Sequence, residues 1–368
     1  MIKRRLSLLA FSLLFVSSAF GSYLTCPDGS QIETELKGSR ELRKATEGLK
    51  IEKRQMRFDD LPGWSEKSDP ESLYQAMRNN CQSKRLPVGW PPVCDSLAKS
   101  SPANIHALIE SHFTPYQVVV EGSEKGKYTS YYAPYINVSR KRDEHYRFPI
   151  YRSSGAARKL SRSELDTGAL PDQEALFWSD SYMDTFFLGV QGSGVGKLPS
   201  GEKVSILYDS KNTHNYVSIG KTLIKCGEVP AEIMSMPAIK DWVAKATATQ
   251  VSRLVNNNQS YVFFREQAHN GNMPFGALGV RLTAMRSLAV DKRYVPLGSL
   301  TYISVPHPLG EARIQRAFLA QDIGGAISGG IRADIFAGEG DEAEKFAGNM
   351  AHNGQFWLLE ANVPTSRD

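Results

Sequence analysis

Beyond Phe113 the chain is a succession of short runs of β-branched and aromatic residues, and this rhythm constrains its fold most. Tyr116 to Glu121, Lys127 to Tyr132, Glu174 to Trp178, Thr185 to Gln191, Lys203 to Tyr208 and Tyr216 to Ile219 are strand-length and bounded by turn residues. Branched and ring side chains fit a pleated, half-buried surface, so the pattern predicts many short strands. Helical spacing is confined to a few places. Asp69-Pro70-Glu71 supplies an N-cap and a first-turn proline ahead of Leu73, Ala76 and Met77. Ser101-Pro102 precedes Ile105, Leu108, Ile109 and Phe113 on one face. Pro237 to Lys245 and Ala246 to Asn256 also read as helices, after which the chain returns at Ser260 to strands and glycine turns. The expected class is mostly β with peripheral helices, and 368 residues are enough for two domains.

The first residues read as an export signal spanning 1–21. Lys3, Arg4 and Arg5 form a basic start, Leu6 to Val16 an apolar stretch, and Ala19-Phe20-Gly21 a small-residue cleavage site. Cys26 offers a lipidation alternative, but Tyr23-Leu24-Thr25 is a poor lipobox. The net charge of +5 falls to +2 without Lys3, Arg4 and Arg5, which is too mild to argue for nucleic acid. Export gives the four cysteines a meaning. Cys81 and Cys94 flank a short loop, Leu86 to Pro92, and are expected to form a disulfide worth roughly 3 kcal/mol in the chain-entropy model. Cys26 and Cys226 are left to pair with each other or stay apart. No CxxC or HExxH occurs and the seven histidines are scattered, so neither a metal nor another cofactor is expected.

The chemistry is concentrated in Ala320-Gln321-Asp322-Ile323-Gly324-Gly325-Ala326-Ile327 and Arg332-Ala333-Asp334-Ile335-Phe336. Two carboxylates stand twelve positions apart with Gly324, Gly325, Gly329 and Gly330 between them. Such glycines let backbone turn sharply and approach a ligand. An acid beside an apolar run costs several kcal/mol to desolvate unless paired or neutral. A carboxyl in a partly apolar groove suits general acid catalysis on a sugar. Asp334 could instead merely pair with Arg332, and Asp322 could be a structural turn acid. Gln191-Gly192-Ser193-Gly194 fits neither a nucleophile elbow nor a nucleotide loop. It reads as a groove wall whose Gln191 and Ser193 would bond sugar hydroxyls, or as a plain turn. Tyr131, Tyr132, Tyr261 and Trp357 are candidates for stacking on pyranose faces, against the commoner fate of aromatics in a β core.

These segments resemble the membrane-bound lytic murein transglycosylase A (MltA) family with its C-terminal 3D domain, named for three aspartates. Ser287-Leu288-Ala289-Val290-Asp291 supplies the third aspartate, followed by Val295-Pro296-Leu297-Gly298. Phe58-Asp59-Asp60-Leu61-Pro62-Gly63-Trp64, Tyr131-Tyr132-Ala133-Pro134, Val190 to Gly194, Ser260 to Arg265 and Gly354-Gln355-Phe356-Trp357 are similar to family motifs, in the family's order. Ala133 and Gln259 depart from it, standing where an acidic residue and a proline are usual. The resemblance implies a double-psi β-barrel main domain built from 22–134 and 269–368, with a second β-barrel inserted at 135–268 and a glycan groove between them. It implies a monomer acting on peptidoglycan strands in the periplasm.

By the same resemblance, Asp334 is the acid/base, Asp322 orients or tunes it, and Asp291 supports. A lytic transglycosylase needs one such group: the acid protonates the glycosidic oxygen, then deprotonates the C6 hydroxyl of N-acetylmuramic acid, which closes a 1,6-anhydro ring. The acid must be neutral, and lifting an Asp from about 3.9 to near 6 takes roughly 2.8 kcal/mol. Two other functions fit the barrel: a non-catalytic glycan-binding protein, and a β-1,4-glucan hydrolase, which would need a second catalytic carboxylate.

Overall fold

A computed structural model describes residues 23–33 and 43–363; the predicted signal at 1–21 lies outside the described residues. The chain opens with a hairpin, β1 (Tyr23–Thr25) and β2 (Gln31–Glu33). Strand β3 (Ile51–Gln55) precedes helices α1 (Pro70–Asn80), α2 (Trp90–Ala98) and α3 (Ile105–His112), then β4 (Phe113–Val120) and β5 (Lys125–Ala133). A second group follows: β6 (Tyr135–Ser139), β7 (Phe148–Tyr151), α4 (Arg162–Asp166), β8 (Ala175–Ser179), α5 (Tyr182–Gln191), β9 (Gly194–Lys197), β10 (Lys203–Lys211), α6 (Ile219–Lys225), α7 (Met236–Lys245), α8 (Ala248–Asn256) and β11 (Val262–Ala268). The last group is β12 (Ser287–Val290), β13 (Leu300–Pro306), β14 (Arg313–Asp322), β15 (Ala333–Glu339), α9 (Gly340–Asn349) and β16 (Ala351–Ala361).

The strands sort into two large sheets. One runs β13-β14-β12-β15-β5-β16-β4-β3, and β13 also pairs with β16. Six strands thus close into a ring in which β12/β14 and β15/β5 are parallel and the other pairs antiparallel. Closure removes the exposed edges a sheet would otherwise present. Tyr128, Leu288, Ile303, Phe318 and Ile335 belong to its core. The helices α1–α3 pack on another face, against Leu300, Tyr302, Leu319 and Trp357. The β5 backbone passes so close to Ile331 that a Cβ on Gly126 would lie 1.7 Å from the Ile331 carbonyl oxygen. The other sheet runs β11-β10-β9-β6-β8-β7, and a bridge between Arg152 and Phe264 brings its two edges together. All of its strands come from residues 135–268.

Several expectations are corrected. Thr185–Gln191 is the body of a helix, because Ser181 caps the Asp184 amide and starts it four residues earlier. Tyr216 to Ser218 is loop leading into α6, whose first residue is Ile219, and Pro91-Pro92, read as loop, occupy the first turn of α2. The opening hairpin docks on the 135–268 group rather than the barrel: Cys26 is disulfide-bonded to Cys226, and Thr25 and Asn257 exchange hydrogen bonds of 2.9 and 2.8 Å. Cys81 and Cys94 are bonded as expected.

Candidate active site

The three acids are placed by strand register. Ala289 on β12 pairs with Asp322 on parallel β14 and with Asp334 on antiparallel β15, and Asp334 pairs in turn with Thr129 on β5. Lateral neighbours in a sheet point to the same face. Asp322, Ala289, Asp334 and Thr129 therefore form one row, with the small Ala289 between the acids. With strands about 4.8 Å apart, the two acid backbones lie roughly 10 Å apart. A register shift before Ala289 leaves Gln321 as an extra residue on β14. Such a bulge re-aims the residue beside it. Gln321 is fixed by Ser287 (2.6 Å) and Asn80 (3.1 Å), both fully buried like itself.

Asp322 is held on both oxygens. Its Oδ1 accepts from the Ala277 and Ile323 amides, each at 2.9 Å, and its Oδ2 from the Tyr131 hydroxyl at 2.9 Å. Burial pushes its carboxyl above the ordinary value and the charge of Asp334 adds to this, against the pull of those three donors. Burial, with the negative charge of Asp322, also lifts the Tyr131 phenol well above its usual range, so it remains a neutral donor. Asp334 is bound differently. Thr129 Oγ1 and Arg332 Nη1 both donate to its Oδ1, and its side chain keeps 20% exposure. Arg332 also bonds Thr129 Oγ1 at 2.9 Å, so threonine, arginine and acid form a closed triangle.

Asp291 lies at the end of β12 and touches neither acid. It pairs with Arg293 at 2.5 Å and accepts from the Gly329 amide at 3.0 Å, fixing the loop that joins Asp322 to Asp334. Burial would raise its carboxyl, but the Arg293 and Gly329 bonds outweigh that and hold it below the ordinary value. Gly324 and Gly325 sit in this loop beside Asp322, with Gly325 exposed.

The Gln191–Gly194 motif is a strut between the sheets. Gln191 Oε1 accepts from the Tyr132 amide at 3.1 Å, and Ser193 Oγ from the Tyr208 amide at 3.0 Å. Gly192 ends α5 at φ 88°, and a Cβ on Gly194 would meet Leu188 at 2.6 Å. The polar atoms expected to bond sugar thus bond backbone here. Tyr132 and Tyr261 are each 4% exposed. Tyr261 belongs to a core with Tyr151 and Phe263, its hydroxyl on the Pro149 carbonyl. Trp357 is 2% exposed. None of these three rings can stack on a ligand in this conformation. Of the four aromatics singled out, Tyr131 alone reaches the acids.

The sequence reading missed Thr129 as a partner of Asp334, although its register follows once β5 and β15 are paired. It also missed Tyr208 and Tyr216 of the second group. Burial raises both phenols, with the charge of Asp209 and then that of Asp322 adding at Tyr208, and that of Asp334 adding at Tyr216. Among the described residues no group of three or more His, Cys, Asp or Glu is placed to hold a metal.

A closed six-strand ring carrying the paired acids and a second sheet drawn from 135–268 define a mostly β protein with peripheral helices. Two family profiles match it: the MltA specific insert domain over residues 153–265 and the 3D domain over residues 286–360. A membrane-bound lytic murein transglycosylase A of Escherichia coli is 37% identical over 241 residues, covering 64% of this chain and 65% of that protein. The crystal structure of MltA from Neisseria gonorrhoeae, monoclinic form, superposes with a TM-score of 0.73 at 28% identity, over 87% of this chain and 97% of that one. Escherichia coli MltA with bound chitohexaose superposes at 0.68 and 31% identity, over 80% and 90%. The chain belongs to the membrane-bound lytic murein transglycosylase A family.

Proposed function

We propose that this chain is an exported lytic transglycosylase that cuts the β-1,4 bond between N-acetylmuramic acid and N-acetylglucosamine in peptidoglycan, working as a monomer. The closed ring is read as a double-psi β-barrel, and 135–268 as an inserted β-barrel domain with the glycan groove between. The relatives are named for this activity, and one of them holds a chitin oligomer.

The observation that carries the assignment of roles is the asymmetry of the two acids. Both bonds to Asp334 fall on Oδ1, whereas Asp322 is bound on both oxygens. Asp334 Oδ2 is therefore the oxygen that can carry and exchange a proton. It protonates the glycosidic oxygen as the C1–O bond breaks. The resulting carboxylate then takes the proton of the C6 hydroxyl as O6 bonds to C1, which closes the 1,6-anhydro ring without water. Arg332 and Thr129 fix the rotation of the carboxylate, and the negative charge of Asp322 steadies the developing positive charge on the ring. With its oxygens engaged, Asp322 is a poor attacking base, which favours this reading over a two-carboxylate hydrolase.

Export accords with two disulfides, which persist in oxidising compartments. A Cys26 bonded to Cys226 cannot also carry a thioether lipid. Digestion of purified sacculi in ¹⁸O-water tests the activity. Unlabelled 1,6-anhydro ends, about 18 Da lighter than hydrolysed ends because one water is missing, are expected from an acid/base cycle on one group. Label at the new C1 would establish hydrolysis, and no release at all would leave a glycan-binding protein.

A further inference from the structure

Opposite charges are favourable cross-strand partners on a sheet, and like charges set directly opposite one another destabilise it. Lys197 on β9 and Lys203 on β10 are such a like-charged pair, register partners in the antiparallel ladder. Both ammonium groups also lie over one ring. Lys197 Nζ is 4.4 Å and Lys203 Nζ 4.7 Å from the centroid of Tyr135 on β6. Lys197 is half-buried and Lys203 exposed. Among the described residues neither makes an ion pair. The carboxylates of the neighbouring strands are engaged elsewhere: Asp180 with Asn137, Glu266 with Arg140 and Glu339 with Tyr135. The charge of Glu202, next to Lys203 in sequence, bears on Arg140.

The ring beneath the lysines is fixed. Ile136, Val138, Val204 and Ile206 turn into the core of the sheet, so Tyr135, Lys197 and Lys203 share its outer face. Tyr135 donates its hydroxyl to Glu339 at 3.3 Å, and a Cβ on Gly340 would lie 2.7 Å from the ring. The two cations therefore stand where this outer face meets the end of β15, the strand that carries Asp334. From Asp334 to Glu339 is roughly 16 Å of strand. An extended peptide of about five residues spans the same distance.

We propose that Lys197 and Lys203 receive a carboxylate of the peptide stem that N-acetylmuramic acid carries on its lactyl group, so that peptide-bearing strands bind better than naked glycan. This rests on the peptidoglycan reading above. A carboxylate placed between the two ammonium groups offsets their repulsion. Lysine heads are point charges on flexible stems, which suits a mobile peptide end better than a rigid fork would. An anionic lipid surface would call for cations spread over a plane, whereas these two are gathered on one ring.

The test is calorimetric binding, at low salt, of a disaccharide–tetrapeptide muropeptide and of chitohexaose. The proteins are the full chain, its Lys197→Gln, Lys203→Gln double variant and its Lys197→Arg, Lys203→Arg double variant. Sacculus turnover is followed in parallel, before and after an amidase has stripped the stems. An exposed ion pair changes affinity by a factor of roughly 1.4 to 5, so the glutamine variant should bind the muropeptide about 2- to 25-fold more weakly. Its chitohexaose affinity should not change, and the arginine variant should match the wild type. Salt at about 1 M should abolish the difference. KM on intact sacculi should rise by a similar factor while KM on stripped sacculi stays constant. Equal muropeptide affinity in wild type and glutamine variant would overturn the proposal, as would an equal loss for chitohexaose. Lysine-dependent capture by phosphatidylglycerol vesicles, with muropeptide affinity unchanged, would assign a membrane surface instead. Lysine-dependent muropeptide binding without turnover would sustain the stem site while defeating the lytic activity, and turnover indifferent to the lysines would do the reverse.

Discussion

At the residue scale the two acids differ in what their surroundings demand, and substitution separates them. Asp334→Asn keeps shape but supplies no transferable proton; the expected result is a loss of sacculus cleavage of at least about a hundredfold with chitohexaose binding retained, the range of general acid catalysis being roughly 10²–10⁴. A folded variant keeping a tenth of wild-type activity would refute the assignment. Thr129→Val removes one of the two donors to Asp334 Oδ1 without changing volume much, and should lower kcat while KM stays within about twofold, because it frees the carboxylate to rotate. The pH dependence of stability should run in opposite directions for Asp322 and Asp291. The Asp322 carboxyl is raised by burial, so folding loses stability as pH climbs from about 3.9 through the folded value, and the cost persists at neutrality. Asp322→Asn should therefore gain in thermal midpoint relative to wild type on going from pH 3.5 to 7. Asp291 is held low by Arg293 and Gly329, so its contribution is present above about 3.9 and fades as pH falls through the folded value. Asp291→Asn should lose most at pH 7 and least near pH 3. Melting curves across that range decide both, and parallel curves would contradict the assigned environments. The acids themselves were legible from their glycine-rich setting, but the asymmetry between them was not. It depends on Thr129, Tyr131 and Ala277, which lie far from Asp322 and Asp334 in sequence and join them only through barrel closure.

Elements decide how firmly that asymmetry is held. The end of α1 and the loop after it clamp the site from outside: Asn80 bonds Gln321 and the Gly298 carbonyl, Ser83 the Leu278 carbonyl and Arg85 the Ala277 carbonyl. Cys81–Cys94 ties this clamp to α2. Replacing both cysteines by serine should cost roughly 3 kcal/mol, and should also reduce kcat, since the turn that presents the Ala277 amide to Asp322 loses its brace. Normal kcat in a destabilised double variant would show the disulfide to be a staple only. The same elements show where pattern reading succeeds. Asp69 caps α1 as its sequence announces, accepting from the Ser72 amide. Segment Thr185–Gln191 misleads because Phe186, Phe187 and Leu188 are all buried, which hides helical periodicity and leaves only strand-like composition. The overlooked signal was Ser181-x-x-Asp184. Helix α9 begins at Gly340, whose φ of 78° takes the chain sharply out of β15, and its Asp341 and Glu342 favour the helix N-terminus; amid glycine turns that start read as one more loop.

At the scale of the whole molecule the chain must hold the sheet of 135–268 in place beside the closed ring. Both connections of the 135–268 group converge on Glu339, at the far end of Asp334's own strand: Tyr135 donates to it at 3.3 Å, and His269 lies 3.8 Å away while bonding Ser205. The opening hairpin adds a longer tether, because Cys26 and Cys226 close a loop of 200 residues that embraces the front of the barrel and most of the second group. In the chain-entropy model such a loop constrains the unfolded chain by about 5 kcal/mol, against about 3 for the Cys81–Cys94 loop. Serine at both Cys26 and Cys226 should thus lower the thermal midpoint more than serine at both Cys81 and Cys94. Native-state strain often blurs the dependence on loop length, so a second readout is needed. With the tether cut, the hairpin keeps the exchange of hydrogen bonds between Thr25 and Asn257 and that of Arg253 with the Pro27 carbonyl. Net hydrogen bonds of about 1 kcal/mol each hold so short a segment only weakly. Limited proteolysis of the Cys26→Ser, Cys226→Ser protein should therefore cut within 23–33 first, while sacculus cleavage at 25 °C remains, since neither acid touches that segment. A hairpin that stays protected, or a smaller loss of midpoint than at Cys81 and Cys94, would mean that packing on α6 and α8, and not the disulfide, fastens the start of the chain.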